Sequence, residues 1–448
     1  MEALAGVPAE RHHYSLLQVF TVLSLILSSA TSIRGETRAI KIFYSCYRLD
    51  EPGAAYSTAR VWLLRLGYYQ LTREKEVAED WVWIVDHTVQ IGEEKAMLIV
   101  GLRLSCLPAV GQPLRHEDVE PITLEPVKES TGEVVYHQLK EAAKKTGVPK
   151  EIISDHGPDL SKGIELFCQE HPQTCAVYDI KHKTAALLRR ELDQEPKWKA
   201  FIRQASQTKV SLQQTALAWL APPNQRSKVR YMSVGEIIEW GKKVLEYDES
   251  PTKEPDREPP GGDHQKLLEK VGWLGEYRKE LGEWGQIMEL VTTTEKFVRE
   301  KGLYRGSHEW LEKALRVEVV TETTARVKEE LVRFVKEESE KAKEGERLLG
   351  SSEVIESVFG KFKRLEGNHA KSGITGLLLA IGAMVSETSL KIVKQALEST
   401  KTKHVLEWCR EKLGKTVQAK KREVFRNHDK RNKSWINSRS PPEPFSSL

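Results

Sequence analysis

A chain of 448 residues with 39% hydrophobic content can fill ordinary cores in two or three folded domains, which excludes a disordered or fibrous polymer. Its formal net charge is only +4, so bulk composition does not mark a nucleic-acid binder and the distribution of charge has to. Five scattered cysteines (Cys46, Cys106, Cys168, Cys175, Cys409) without a close pair speak against a disulfide framework and a thiolate zinc site, and for a reducing compartment.

Residues Tyr14 to Ile33 imitate a signal peptide, with basic flank and small residues at the end. Ser15, Gln18, Thr21 and Ser24 interrupt the run, so a buried helix is expected. With the segment from Ser32 and a third from Tyr56 to Gln70, this makes three short helices, with turns at Arg34-Gly35 and Pro52-Gly53. They suit a helix-turn-helix DNA-binding domain over 1–78 with Arg60 among its contacts; a plain helical cap on the next domain is the other reading.

From Trp81 the pattern turns to strands: WVWIVDHTVQIG, then KAMLIVGLRLSCL after a turn at Gly92-Glu93-Glu94, then a third near PITLEPVKE. An amphipathic helix from Gly132 to Thr146, a short strand EIIS ending at Asp155, a helix (SKGIELFCQEH) and a strand (TCAVYDI) follow. This order predicts an α/β fold with a ribonuclease-H-like mixed sheet, its first part spanning 79–186. A helical insertion is expected over 187–348, with six tryptophans (Trp198, Trp219, Trp240, Trp273, Trp284, Trp310) read mainly as core, and a charged, proline-rich loop at Asp248 to Asp263. The last part of the core, 349–400, holds the helix SSEVIESVFGKFKRLEG and an apolar helix from Gly373 to Leu397. A basic tail over 401–448 carries Lys420, Lys421, Arg422, Arg426, Lys430, Arg431, Lys433 and Arg439.

Asp86 closes an apolar strand and Asp155 closes the fourth, which this order makes its neighbour. Their carboxylates converge at one edge, and oxygen ligands of this kind suit magnesium or manganese. A third carboxylate completes two metal sites about 4 Å apart, the arrangement for in-line displacement at phosphorus. Glu353 and Glu356 share a helix face; Glu356 is preferred because Lys363, two turns on, can reach a DNA phosphate, with Lys361 beside it, and Glu353 is the reserve. His87 and His156, each next to a proposed ligand, are read as supporting or solvent-facing residues.

These residues resemble the DDE transposases of bacterial insertion sequences: WIVDHTVQIG for the first Asp, IISDHGPDLSKGI for the second, SEVIESVFGKFK for the Glu. The resemblance implies a catalytic triad of Asp86, Asp155 and Glu356 holding two Mg2+ ions (Mn2+ also fitting), with cleavage and transfer of strands in double-stranded DNA at terminal inverted repeats and target sites. It further implies a synaptic homodimer or larger assembly and a cytoplasmic, nucleoid-associated, bacterial protein with no membrane partner. One group of the family has Tyr and Arg before the Glu, where Leu349 and Ser352 stand here. Another has Cys or Asp, two residues and His on the next strand; Asp179 and His182 in YDIKH fit, either positioning flanking DNA or bonding each other. An insertion tryptophan stacking on a flipped base is a further expectation. The rival readings are a ribonuclease-H-like nuclease without strand transfer and a domesticated DNA-binding protein.

Overall fold

The structure, a computed structural model, describes the chain except for residues 1–5, 30, 49–51, 90–93, 225–230, 232–233, 250–268, 317–320, 368–373 and 427–448. Most of the proline-rich loop, the Gly92-Glu93 turn and the tail residues Lys430, Arg431, Lys433 and Arg439 lie outside the described residues.

The first apolar run forms α1 (Leu16–Ser28), started by Ser15, whose Oγ accepts the Gln18 N–H at 3.2 Å. Leu16, Val19, Val22, Leu23 and Ile26 make one buried stripe, so the run is a core helix as expected. Among the described residues no helix is long and apolar enough to cross a membrane. The turn expected at Arg34-Gly35 is not there: both residues belong to α2 (Ile33–Tyr47), because Ser32 Oγ takes the Gly35 N–H at 3.0 Å and makes the glycine part of the first helical turn. The third helix, α3 (Tyr56–Thr72), buries Trp62, Leu63, Leu64 and Leu66.

Five strands form one sheet in the order β3-β2-β1-β4-β5. β1 (Trp81–Val89) pairs antiparallel with β2 (Lys95–Arg103), which pairs antiparallel with β3 (Glu120–Val127). After α4 (Gly132–Thr146), β4 (Glu151–Ser154) joins parallel to β1; after α5 (Pro158–Glu170), β5 (Cys175–Tyr178) joins parallel to β4. This is the mixed sheet of a ribonuclease-H-like α/β fold. β1 is apolar without alternation because both faces are covered. Trp81, Trp83 and Val85 pack with Leu139 of α4 and Phe167 of α5, while Val82 and Ile84 join a larger core on the other face.

Beyond the sheet come α6 (Ile180–Asp193), α7 (Pro196–Leu212), α8 (Val234–Glu249), α9 (Arg278–Lys301), α10 (Ser307–Ala314) and α11 (Glu322–Ser339). Trp198 meets Trp284 edge-on at 4.9 Å between ring centroids, and Phe201, Trp273 and Tyr277 crowd around them. Four of the six insertion tryptophans are thus packed, but Trp219 is 48% and Trp310 58% exposed.

The chain returns to the sheet through α12 (Glu353–Glu366), whose Ile355, Val358 and Phe362 are buried in the larger core. The single apolar helix expected up to Leu397 is instead broken into α13 (Ala380–Met384) and α14 (Leu390–Ser399). Ser386 has φ +84°, outside the helical region, and Ser389 Oγ starts the second piece by accepting the Ile392 N–H at 3.3 Å. Then come α15 (Thr402–Lys412) and an exposed helix over 417–426.

Glu151, the first residue of β4, is fully buried, and its carboxylate accepts the N–H groups of Leu349 and Gly350 at 3.0–3.3 Å. Burial outweighs these bonds and pushes its pKa up to about 7 from 4.5. A buried acid with a raised pKa favours the folded state while protonated; stability falls as pH rises from about 4.5 to about 7 and is flat above. Glu151→Gln keeps an acceptor oxygen and removes the charge. We expect the stability difference between variant and wild type to shift by about 2–3 kcal/mol in the variant's favour between pH 5 and pH 8, read from urea midpoints. A difference that does not move with pH would contradict the assignment.

Candidate metal centre

The site is built on one face of three strand ends. Ile84, Ile153 and Val177 are register partners on the larger-core face. Two residues further along each strand, still on that face by the strand period of two, stand Asp86, Asp155 and Asp179. Asp86 was expected at the end of its strand, but β1 continues to Val89, where it still pairs with β2. It is β4 that stops, at Ser154 opposite Val85, and this opens the edge at Asp86.

After Ser154 the chain turns sharply. His156 has φ +58° and stacks on Tyr178 at 4.1 Å, while Asp155 Oδ1 accepts the Gly157 N–H at 2.9 Å. His87 points away from the carboxylates: it is buried on the opposite side of the strand, with Ser130 Oγ at 3.3 Å and Asp159 Oδ2 at 3.8 Å. The His87 side chain is only 7% exposed, which corrects the solvent-facing half of the expectation for it, whereas His156 is exposed.

Glu356 comes to the same place from α12. Lys181 Nζ lies 3.2 Å from its Oε2. His182 Nε2 lies 3.3 Å from Oε1 and forms an ion pair with it when the imidazole is protonated. Burial works against the Glu356 charge, yet His182 and Lys181 outweigh it and hold the pKa below the usual value. Burial likewise opposes the charge on His182, but Glu356, Asp179 and Asp155 raise its pKa. Glu353 is turned elsewhere, with Arg299 of α9 at 3.4 Å.

Asp86 has the opposite fate from Glu356. Burial first, then the negative charge of Asp155, pushes its pKa up to about 7 from 3.8, with Glu356 adding to the rise. A largely buried carboxyl crowded by like charge is relieved by a bound cation. Oxygen donors of Asp86, Asp155 and Glu356 fit a hard divalent ion.

Asp179 and His182 lie at the strand end and in the first turn of α6, not on a strand. Asp179, fully buried, accepts the His182 N–H at 2.9 Å and the Ser352 N–H at 2.7 Å, so it caps α6 and anchors the start of α12. Asp179, His182 and Glu356 also offer ligand atoms within 4.8 Å of one another, a closer set than the expected triad. Both Asp179 oxygens serve backbone donors, whereas Asp86 and Asp155 each meet a backbone N–H through Oδ1, which leaves these two more lone pairs for an ion. Lys181 is the neighbour that the sequence reading missed; a cation three residues after a strand carries no signal by itself.

Of the basic residues, Lys363 is exposed on the stripe Glu356, Gly360, Lys363 that leads outward from the site. Lys361 lies on another flank near His116 and Glu117, where burial, then Arg364, lowers its pKa. Arg60 is half-buried near Gly376 and Cys409, inside the packing of α3 against the C-terminal segment. Lys420, Lys421 and Arg422 are exposed on the helix over 417–426.

No family model and no curated protein matches the chain. Among solved structures, a Drosophila P element transposase strand transfer complex is similar over 86% of this chain and 93% of that chain, with 11% sequence identity and a TM-score of 0.37. The fold assignment above rests on strand order and register, not on this likeness.

Proposed function

We propose that the chain is a metal-dependent polynucleotidyl transferase of the DDE type, a transposase that cuts DNA at the ends of an insertion sequence and joins them to target DNA. The observation that supports this reading is the proximity of Asp86, Asp155 and Glu356 at the edge opened by the end of β4, where burial and then the like charges of Asp155 and Glu356 raise the Asp86 carboxyl. Those three residues would hold two Mg2+ ions, and Mn2+ would serve in their place. Bound divalent ions supply activation of water and neutralisation of charge at a phosphodiester. In this reading Lys181 and His182 orient the Glu356 carboxylate, and Lys363 holds a neighbouring phosphate. Water displaces the 3′ oxygen at phosphorus, leaving a 3′ hydroxyl and a 5′ phosphate; the hydroxyl then displaces a strand of target DNA in the same manner.

The test uses DNA carrying the sequences that flank the gene, incubated with the protein and Mg2+. Cut ends and joined products support the proposal. Cleavage without joining would replace it with a ribonuclease-H-like nuclease, and binding without cleavage with a domesticated DNA-binding protein.

The exposed helix over 417–426 bears on DNA affinity through phosphate neutralisation, with slopes of about 0.9 per contact in log affinity against log salt. Changing Lys420, Lys421 and Arg422 together to Ala should weaken binding to unrelated duplexes and lower that slope by about 1–3, measured by fluorescence anisotropy across salt concentrations. An unchanged slope would move the phosphate contacts to another surface.

A further inference from the structure

The return from the helical insertion to α12 is a strap, Leu348 to Ser352, fastened at Leu348, Leu349, Gly350 and Ser352. Leu348 exchanges two backbone hydrogen bonds of 2.8 Å with Leu303, just past the end of α9. Leu349 and Gly350 donate to Glu151 of β4 at 3.0–3.3 Å. The Gly350 carbonyl accepts the Ile180 N–H at 3.2 Å, and Ser352 donates to Asp179 at 2.7 Å, immediately before the helix that carries Glu356. Gly350 has φ +72°, and a Cβ there would stand 2.7 Å from Leu303 and 2.8 Å from Val298 of α9, so the strap lies tight against the insertion.

A buried carboxylate at the first position of an apolar strand is costly, and an aliphatic residue would continue the strand pattern. With an aliphatic residue, though, the Leu349 and Gly350 N–H groups would lose their acceptor in a buried place. We propose that Glu151 is a positioning residue for Glu356: it clamps the strap so that the catalytic helix starts at a fixed place relative to Asp86 and Asp155, and ties that place to the insertion. The inference rests on the proposed metal centre for its consequence, though not for the clamp itself.

The experiment pairs amide hydrogen exchange with Mn2+ titration by electron paramagnetic resonance, on the full chain. In Glu151→Ala the amides of Leu349 and Gly350 should exchange at least about 10-fold faster, with the loss of protection running on to Ile355 and Glu356 while α4 stays protected. Mn2+ affinity should fall by about 10-fold. The conservative Glu151→Gln, which keeps an acceptor, should rescue both. Gly350→Ala, which strains the strap while the Glu151 side chain is kept, should reproduce the loss, and decides the matter if Glu151→Ala does not fold. Strap amides that stay protected in the variants, or a loosened strap with wild-type Mn2+ affinity, would overturn the proposal. If the wild type bound no Mn2+ at all, the metal-centre reading would fall instead, and exchange alone would decide the clamp.

Discussion

Asp86→Asn should abolish Mg2+-dependent DNA cleavage, by at least about 1000-fold, and at the same time make the metal-free protein more stable. The two effects have one cause. In the folded chain the Asp86 carboxyl is pushed up to about 7 from 3.8 by burial and by Asp155, so ionising it costs stability. The sign follows from proton linkage: the cost is absent below about pH 4, grows between about 4 and 7, and is complete above. Asparagine has the same shape and no charge. Its gain in urea-denaturation free energy should therefore be near zero at pH 4 and roughly 2–4 kcal/mol at pH 8. Saturating Mg2+ should stabilise the wild type and not the variant. A variant that is less stable than wild type at pH 8 would mean that Asp86 is a structural residue whose partner is a donor in the fold.

Among the described glycines, Gly67→Ala should be the most damaging added methyl. A Cβ at Gly67 would stand 1.8 Å from the Leu379 carbonyl oxygen, and one at Gly382 would stand 2.5 Å from the Gly67 carbonyl oxygen. Helix α3 thus crosses the segment holding α13 backbone to backbone, with no flexible side chain to yield. The helices must separate, opening the core between Leu63, Leu66, Leu378 and Ile381. We expect a loss of about 3–5 kcal/mol or failure to fold, measured by thermal melting and by soluble yield. Gly282→Ala, inside α9 with nothing within 4 Å of the added carbon, should go the other way by about 0.5–1 kcal/mol. Equal melting temperatures for the two variants would contradict the close crossing.

What could be read from the sequence was local. WVWIVD and EIIS announce buried strands because period and composition act within a few residues, and their order dictates which strand ends are neighbours. The choice between Glu353 and Glu356 was not local: three residues apart they share a face, and the partners that separate them, Arg299 and Lys181, come from distant parts of the chain. Glu151 was missed for the same reason. It looks like the polar edge of a short strand, and its donors at Leu349 and Gly350 lie 198 and 199 residues away. Asp179 and His182 were noticed together, but the capping role of Asp179 needs the position of Ser352, which no pattern in YDIKH contains. At Arg34-Gly35 the arginine-glycine pair suggested a turn, and the Ser32 cap two residues earlier overrode it.

The central claim is that Asp86, Asp155 and Glu356 form a divalent-cation centre. It is tested most directly by crystals grown with Mn2+ and anomalous diffraction at the manganese edge. Anomalous density is expected between Asp86, Asp155 and Glu356, and its loss in Asp86→Asn crystals grown under the same conditions. Manganese held by Asp179, His182 and Glu356 with Asp86 and Asp155 free, or no density at this sheet edge at saturating Mn2+, would contradict it.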